Sequence, residues 1–478
     1  MPRPISPMIL VMRRVKIVAT IGPATDNIET LTNIVHAGVD VIRINGAHGD
    51  IEEIPGRIEL VREVSKKLSK AVGILIDLPG PKMRNGDVED GLVVLHAGDL
   101  LTIKNDQVLG TCETISTSVR DLYTMMDIDD PIILADGQIR GVVVDIKDTD
   151  IIIKITIGGS LKSKKGFFLP NGENKISPYS EKDHKIIDIA IKHKVDFLGL
   201  SFVRRGSDVK EIRDRLPKNC YIHLISKIET KSAVEELSSI LAESDAIMVA
   251  RGDLGIQMEV ARVPLLQKEI IRACNQAGRP VITATEMLDS MTTSPVPTRA
   301  EVGDVANAVL DGTDAVMLSG ETAVGLYAQE TVETMAEVAM SAEEWRKRRV
   351  PDVCVLGEDP VAWAVAHAVV QAAQDLNVAA ILCPTRTGAT AQRIAAYRPS
   401  TKIIGISKHE GVLSRLSLNW GVAPLLMEDK VDQEHEVDQI VKLSISAGYI
   451  NSGDLVAVAS GSPGKRAGGT DAIRIVRA

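Results

Sequence analysis

Chemistry in this chain concentrates on Leu224-Ile225-Ser226-Lys227-Ile228-Glu229, where an apolar, β-prone run from Tyr221 to Ile225 ends on a lysine and a carboxylate two residues apart. In an extended chain that spacing puts both side chains on one face. Some 24 residues on, Asp245-Ala246-Ile247-Met248-Val249 runs into Arg251-Gly252-Asp253, again an apolar strand ending in charge. Carboxylates and cations at the ends of neighbouring strands can hold a divalent metal and a phosphate between them. The alternative is an internal ion-pair network that caps a sheet.

Which elements bring these ends together follows from the order of the chain. Val15 to Ile21 reads as a strand ending at Gly22-Pro23, and a helix over Ile28 to Ala37 is closed by Gly38. A strand Val39 to Ile44 carries Arg43 and Asn45 at its end, followed by Gly46-Ala47-His48-Gly49-Asp50. A helix through Arg57–Leu68 leads to a strand Val72–Ile76 and then Asp77-Leu78-Pro79-Gly80-Pro81-Lys82. This βαβαβ rhythm marks a parallel α/β fold. From about Asn85 to Gly159 only short alternating runs appear, with turns at Ala97-Gly98-Asp99 and Asp136-Gly137, which predicts an inserted β-rich domain.

The rhythm resumes with helix Glu181–Lys192, strand Val195–Ser201 and helix Ser207–Arg215. Beyond Asp253 come a helix from about Pro264 to Gln276 and a strand Pro280–Ala284 leading to Thr285-Glu286. A capping box at Thr298-Arg299-Ala300-Glu301 and a strand Ala315–Leu318 entering Ser319-Gly320-Glu321 complete the set. Eight strands result, and the fold class predicted is α/β: a (β/α)8 TIM barrel with an inserted small β-barrel placed to act as a lid and a smaller C-terminal α/β domain. Arg43, Asn45, Asp77, Lys227, Glu229, Asp253, Thr285, Ser319 and Glu321 then share the rim beyond the strand C-termini, the face where such barrels do chemistry. The expected boundaries are an N-terminal extension 1–12, barrel 13–85 and 173–343, lid 86–172, and C-terminal domain 344–478.

A charged helix Glu343–Arg349 is expected to lead out of the barrel. The C-terminal strands are read near Ala379–Cys383, Lys402–Ile406, Ala423–Leu426, Leu455–Ala459 and Ala472–Val476. Thr385-Arg386-Thr387-Gly388-Ala389-Thr390 at a helix start suits a phosphate, or is an ordinary capped helix start. Two further motifs fail: ASGSPGKR (459–466) lacks the first glycine and the final hydroxyl of a Walker loop, and no G-x-G precedes the helix at Gly320–Gly325.

Composition narrows the classes. At 478 residues the chain needs two or three domains, and 45% hydrophobic with 25% charged residues is globular. A net charge of −9 and 3% aromatics argue against nucleic acid and against an anionic membrane surface. Cys112, Cys220, Cys274, Cys354 and Cys383 are scattered without metal spacing, so buried thiols in a reducing, cytoplasmic setting are expected.

Taken together, VKIVATIGPAT (15–25), ISKIET (225–230), MVARGDLG (248–255), PVITATEMLDSM (280–291) and PTRAEVGDVANAVLDGTDAVMLSGETAVG (297–325) resemble the pyruvate kinase family, from about Arg14 to the end. The resemblance implies phosphoryl transfer from phosphoenolpyruvate to ADP, giving pyruvate and ATP, in a homotetramer. It implies that Glu229 and Asp253 hold Mg²⁺ (or Mn²⁺), that Lys227 and Arg43 neutralise the transferring phosphoryl group, and that the Gly252 and Asp253 amides bind the substrate carboxylate. Thr285, with Ser319 and Glu321, would serve protonation of the enolate. Arg84 and Lys165 would reach ADP phosphates, Asp136 would face the nucleotide metal, and Asn45 and His48 would lie near the nucleotide. A phosphorylated allosteric effector would sit at Thr385, Thr387 and Thr390 with Lys465 and Arg466.

Departures from the family pattern are Ala47 for a serine, Phe167-Phe168 for Val-Asn, and Asn171 for glycine. Many relatives hold K⁺ with an Asn, a Ser and an Asp near a Glu. Here Asn45 and Asp77 remain, Ala47 replaces the Ser, and Lys82 stands at the Glu, so a tethered ammonium is expected to replace the ion and K⁺ not to be required. A competing reading is a catalytically weakened paralogue acting as a regulatory subunit, against which the intact Lys227/Glu229/Asp253/Thr285 set speaks.

Overall fold

In the computed structural model the described residues are 13–81, 83–170, 177–218, 220–345, 359–428, 436–461 and 469–478. Eight parallel strands close into a barrel: β1 (Lys16–Ile21), β2 (Val41–Asn45), β3 (Gly73–Asp77), β4 (Phe197–Leu200), β5 (His223–Ile228), β6 (Ala246–Ala250), β7 (Val281–Ala284) and β8 (Ala315–Leu318). Period-two alternation explains the two layers. Ile17, Ala19 and Ile21 of β1 face the surrounding helices, while Val18 points inward with Val41, Leu75, Phe197, Ile225, Met248 and Ile282.

Several local expectations hold closely. The helix Ile28–Ala37 is capped by the Asn27 side chain and closed by Gly38 at φ 136, and Thr298 with Glu301 forms the capping box of helix Arg299–Asp311. Other readings are corrected. Tyr221 is 67% exposed, and the strand begins at His223, where its pairing with Phe197 of β4 starts. Arg251–Gln257 forms a further helix directly after β6, which the sequence reading did not assign. The first three residues of the expected charged helix, Glu343–Trp345, end helix Ala328–Trp345, and the Glu343 carboxylate accepts from the amides of Arg14 and Val15. Residues 346–349 lie outside the described ones. Cys274 and Cys383 are buried thiols, but Cys112 is exposed and Cys220 half-buried, and Cys354 lies outside the described residues.

Between β3 and helix Glu181–Lys192 stands the insertion. Its six-stranded sheet runs Phe167–Phe168, Pro131–Leu134, Ile139–Lys147, Asp150–Ile157, Leu100–Lys104 and Thr114–Ser116 across, joined by a ribbon of Leu92–Leu95 with Gly159–Lys162. It has its own core around Leu101, Ile103, Ile132, Ile153 and Phe167. The insertion leans over the barrel rim: a Cβ at Gly137 would lie 3.3 Å from Ile256 in the helix after β6.

The C-terminal sheet has β9 (Ala380–Pro384), β10 (Lys402–Ser407), β11 (Val422–Leu426), β12 (Leu455–Ser460) and β13 (Ala472–Arg477), in the order β11-β10-β9-β12-β13, with β13 antiparallel. It closes the end of the barrel opposite the rim. Leu418 inserts among the inward-facing barrel residues, Lys16 Nζ donates to Val422 O at 2.8 Å, and Arg398 pairs with Asp314 at 2.7 Å. The guanidinium groups of Arg14 and Arg398 both lie over the Trp420 ring.

Candidate active site

Strand register brings the first group together. β2 pairs with β3 so that Asn45 lies opposite Asp77, and β3 pairs with β4 so that Asp77 lies opposite Gly199. With only hydrogen on that face of Gly199, the Asp77 carboxyl packs flat against the strand. Its Oδ2 accepts from Arg43 Nε at 2.9 Å and Nη2 at 2.5 Å, and lies 3.3 Å from Lys227 Nζ. Arg43 also donates to Thr20 Oγ1 at 3.2 Å. Lys227 Nζ is 2.7 Å from Glu229 Oε1 and donates to Ser201 Oγ at 2.8 Å, while the Phe202 amide donates to Glu229 Oε2 at 2.8 Å.

All of these groups are buried, and their ionisation follows from who faces whom. Burial works against the Asp77 carboxylate, but Lys227 and Arg43 outweigh it and hold its pKa below the ordinary value. Burial likewise works against the Lys227 ammonium, and Asp77 and Glu229 more than offset it, so Lys227 stays charged. Glu229 goes the other way. Burial pushes it up to about 7, opposed by Lys227 and assisted by Asp253. Its Oε1 has the ion pair with Lys227 but no hydrogen bond of regular geometry, which leaves a lone pair free.

The second group follows β6 and β7. Asp253 is half-buried in helix Arg251–Gln257, close enough to Glu229 to act on its ionisation. The Gly252 amide, expected to meet a substrate carboxylate, donates here to Thr285 Oγ1 at 2.9 Å. Thr285 and Glu286 have left-handed backbones, φ 68 and 54. Arg251 secures that bend by donating to Ala284 O and Thr285 O, while pairing with Asp304 at 2.6 Å. After β8, Glu321 accepts from the amides of Ser319 (2.7 Å) and Leu288 (3.3 Å), and burial raises its pKa. The Ser319 hydroxyl is buried without a partner.

No cluster of three or more His, Cys, Asp or Glu side chains that could hold a metal occurs among the described residues. The pair Glu229 and Asp253 nevertheless fits Mg²⁺, which takes one or two carboxylates and completes its shell with water and substrate oxygens.

The remaining expected residues fall in three places. Arg84, Asp136 and Lys165 meet at the base of the insertion, where Lys165 Nζ is 3.4 Å from Asp136, Arg84 donates to Lys164 O, and the Gly166 amide donates to Asp136. Asn45 is half-buried, its Oδ1 accepting from the Ala47 amide at 3.1 Å, and His48 is exposed on the same loop. Lys82 lies outside the described residues. In the C-terminal domain Thr385 and Thr387 accept from the loop amides of Gly388 and Ala389, and the buried Thr390 hydroxyl meets that of Thr470 at 2.7 Å. Lys465 and Arg466 lie outside the described residues. Sequence reasoning passed over Thr20, Gly199, Ser201 and Phe202. Ser201 carried a signal, as a polar residue at the end of the expected strand Val195–Ser201, but nothing local says what it touches.

A family model described as pyruvate kinase, barrel domain, matches residues 12–332, and one described as pyruvate kinase, alpha/beta domain, matches residues 363–476. Curated relatives named pyruvate kinase, from Staphylococcus aureus strains USA300 and bovine RF122, are each 41% identical over 469 residues, spanning 97% of this chain and 80% of theirs. The crystal structure of a pyruvate kinase from Cryptosporidium parvum superposes with a TM-score of 0.90 at 36% identity, covering 97% of this chain and 96% of that one. These relatives do not favour a regulatory paralogue. With both domain models matched in order around a barrel rim of this kind, the chain belongs to the pyruvate kinase family.

Proposed function

We propose that this protein transfers the phosphoryl group of phosphoenolpyruvate to ADP, yielding pyruvate and ATP. The observation that carries the reading is the Arg43–Asp77–Lys227–Glu229 cluster, two cations beside a carboxylate with a free lone pair. Glu229 and Asp253 hold Mg²⁺ or Mn²⁺, which when bound supplies positive charge to substrate oxygens. Arg43 and Lys227 take up the charge that spreads over the phosphoryl oxygens as the bond to the enol oxygen breaks and that to the ADP oxygen forms. Gly252, freed from Thr285, and Asp253 offer amides to the substrate carboxylate. Thr285 positions the enolate carbon, which takes its proton from a water linked to Ser319 and Glu321. A threonine is too weak an acid to give that proton unaided.

Arg84, Lys165 and Asp136 serve ADP and its metal, with Asn45 and His48 near the nucleotide. K⁺ is not required: Asp77 already carries two cations, Ala47 offers no hydroxyl, and Lys82 supplies a tethered charge. Membership of the family supports a homotetramer, a cytoplasmic setting and a phosphorylated effector at Thr385–Thr390. No helix among the described residues is long and apolar enough to cross a membrane.

The test is a coupled assay with phosphoenolpyruvate, ADP and Mg²⁺ in a buffer of bulky organic cations. Turnover is expected, and Glu229→Ala or Asp253→Ala should remove it while leaving the fold intact. A folded protein without turnover refutes the reading, and a rise above about tenfold on adding K⁺ refutes the monovalent part.

A further inference from the structure

Ser201 and Phe202 follow β4 directly and take no part in the chemistry described so far. Ser201 is 4% exposed, and its Oγ accepts the hydrogen bond from Lys227 Nζ at 2.8 Å. Phe202 has a left-handed backbone, φ 54, which aims its amide at Glu229 Oε2, 2.8 Å away. Two consecutive residues thus hold the two ends of the Lys227–Glu229 pair.

An ammonium has three protons and no fixed direction of its own. Here it is surrounded from three adjacent strands: Asp77 at the end of β3, Ser201 after β4 and Glu229 after β5. The approaches to the carboxylates are ion pairs, which hold charge but tolerate sliding. The bond to Ser201 supplies the direction. Being neutral, it does so without taking further positive charge away from a phosphoryl group. Ser201 and Phe202 are themselves pinned by Gly80, whose φ of 65 brings it so close that a Cβ would lie 2.9 Å from Phe202 Cδ2 and 3.2 Å from Ser201 O. Gly80 is in turn anchored through its amide to Asp183 Oδ1 at 3.0 Å.

We propose that Ser201, seated by the Phe202 turn, is a positioning residue for phosphoryl transfer that aims the Lys227 ammonium at the transferring group. The proposal rests on the role given to Lys227 above. It acts on the transition state rather than on substrate affinity, so its loss falls on kcat.

The test compares Ser201→Ala, Ser201→Cys, Ser201→Thr and Lys227→Met in the full-length protein, with Mn²⁺ affinity read by electron paramagnetic resonance. Expected are an inactive Lys227→Met and a fall in kcat of at least about tenfold in Ser201→Ala, with KM for phosphoenolpyruvate within about threefold. Ser201→Cys, close in volume but a poor acceptor, should match the alanine, Mn²⁺ affinity should stay within about twofold in both, and Ser201→Thr should recover at least about a third of kcat. A wild-type kcat in Ser201→Ala beside an inactive Lys227→Met overturns the positioning role. So does a Ser201→Cys variant with wild-type kcat, which would make volume the cause, or a loss of Mn²⁺ affinity in step with kcat. An active Lys227→Met instead refutes the assignment of Lys227 itself.

Discussion

Gly199→Ala is the smallest change that should disable the rim. Gly199 faces Asp77 across the β3–β4 pair, and a Cβ built on it would stand 2.0 Å from Asp77 Oδ1 and 3.1 Å from Cγ. An ordinary contact begins at 3.4 Å, so the carboxylate oxygen must retreat by roughly 1.4 Å. The backbone of β3 is held by β2 on one side and β4 on the other, which leaves rotation of the Asp77 side chain as the easy escape. That rotation carries Oδ2 away from Arg43 and Lys227, whose positions depend on it. A misplacement of about 1 Å in a phosphoryl-transfer site lowers turnover by about a hundredfold, or about 2.7 kcal/mol of barrier. Overpacking itself costs about 1–3 kcal/mol of stability, so the protein should remain folded. The assay is coupled turnover at saturating substrates, alongside near-ultraviolet circular dichroism and thermal melting. A Gly199→Ala protein with native spectra and kcat within about threefold of the unmodified chain would refute the reasoning, because it would mean that Asp77 does not set the two cations.

Three further outcomes are expected. Leu418→Ala should leave a cavity in the closed end of the barrel and cost about 2–5 kcal/mol, lowering Tm by several degrees with kcat retained, since it lies opposite the rim. A melt within experimental error of the unmodified chain would show that the C-terminal plug carries no weight. Lys16 is lowered from 10.5 to about 8, first by burial and against the pull of Asp40. Between those pH values the unfolded chain binds more protons, so the stability Lys16 contributes rises with pH, by about 3 kcal/mol in full, and is lost as pH falls through 8. Against Lys16→Met, the unmodified protein should therefore gain Tm from pH 7.5 to pH 10, and a flat difference contradicts this. Finally, Glu229→Gln should weaken Mn²⁺ binding by about tenfold or more with little change in melting, checked by resonance titration; unchanged affinity would remove Glu229 from the metal site.

Much of this architecture is written locally. The helix Ile28–Ala37 announces itself through Asn27, a 3.6-residue apolar period and Gly38, because caps and faces are properties of a few adjacent residues. Alternation within β1 and the two-residue step from Lys227 to Glu229 likewise follow from strand geometry alone. Chain order then yields eight strands and the rim, and with it most of the polar residues that meet there. What the chain order does not contain is which of them touch. The Asp77 contacts with Arg43, Lys227 and Gly199 join residues 34 to 150 positions apart, and exist only because barrel closure sets the stagger of β2 to β5. The helix Arg251–Gln257 forms where Gly252 and Gly255 favour loop, since propensity is weak beside the anchoring of Arg251 to β7 and Asp304. Leu418, an ordinary apolar residue by sequence, becomes the barrel's plug only through the docking of a separate domain. Sequence thus determined the elements, their order and the residue types at each strand end, because these depend on neighbours along the chain. Tertiary structure alone decided the partners, the burial and hence the charge states at the site, because electrostatic environment is a property of distance in space.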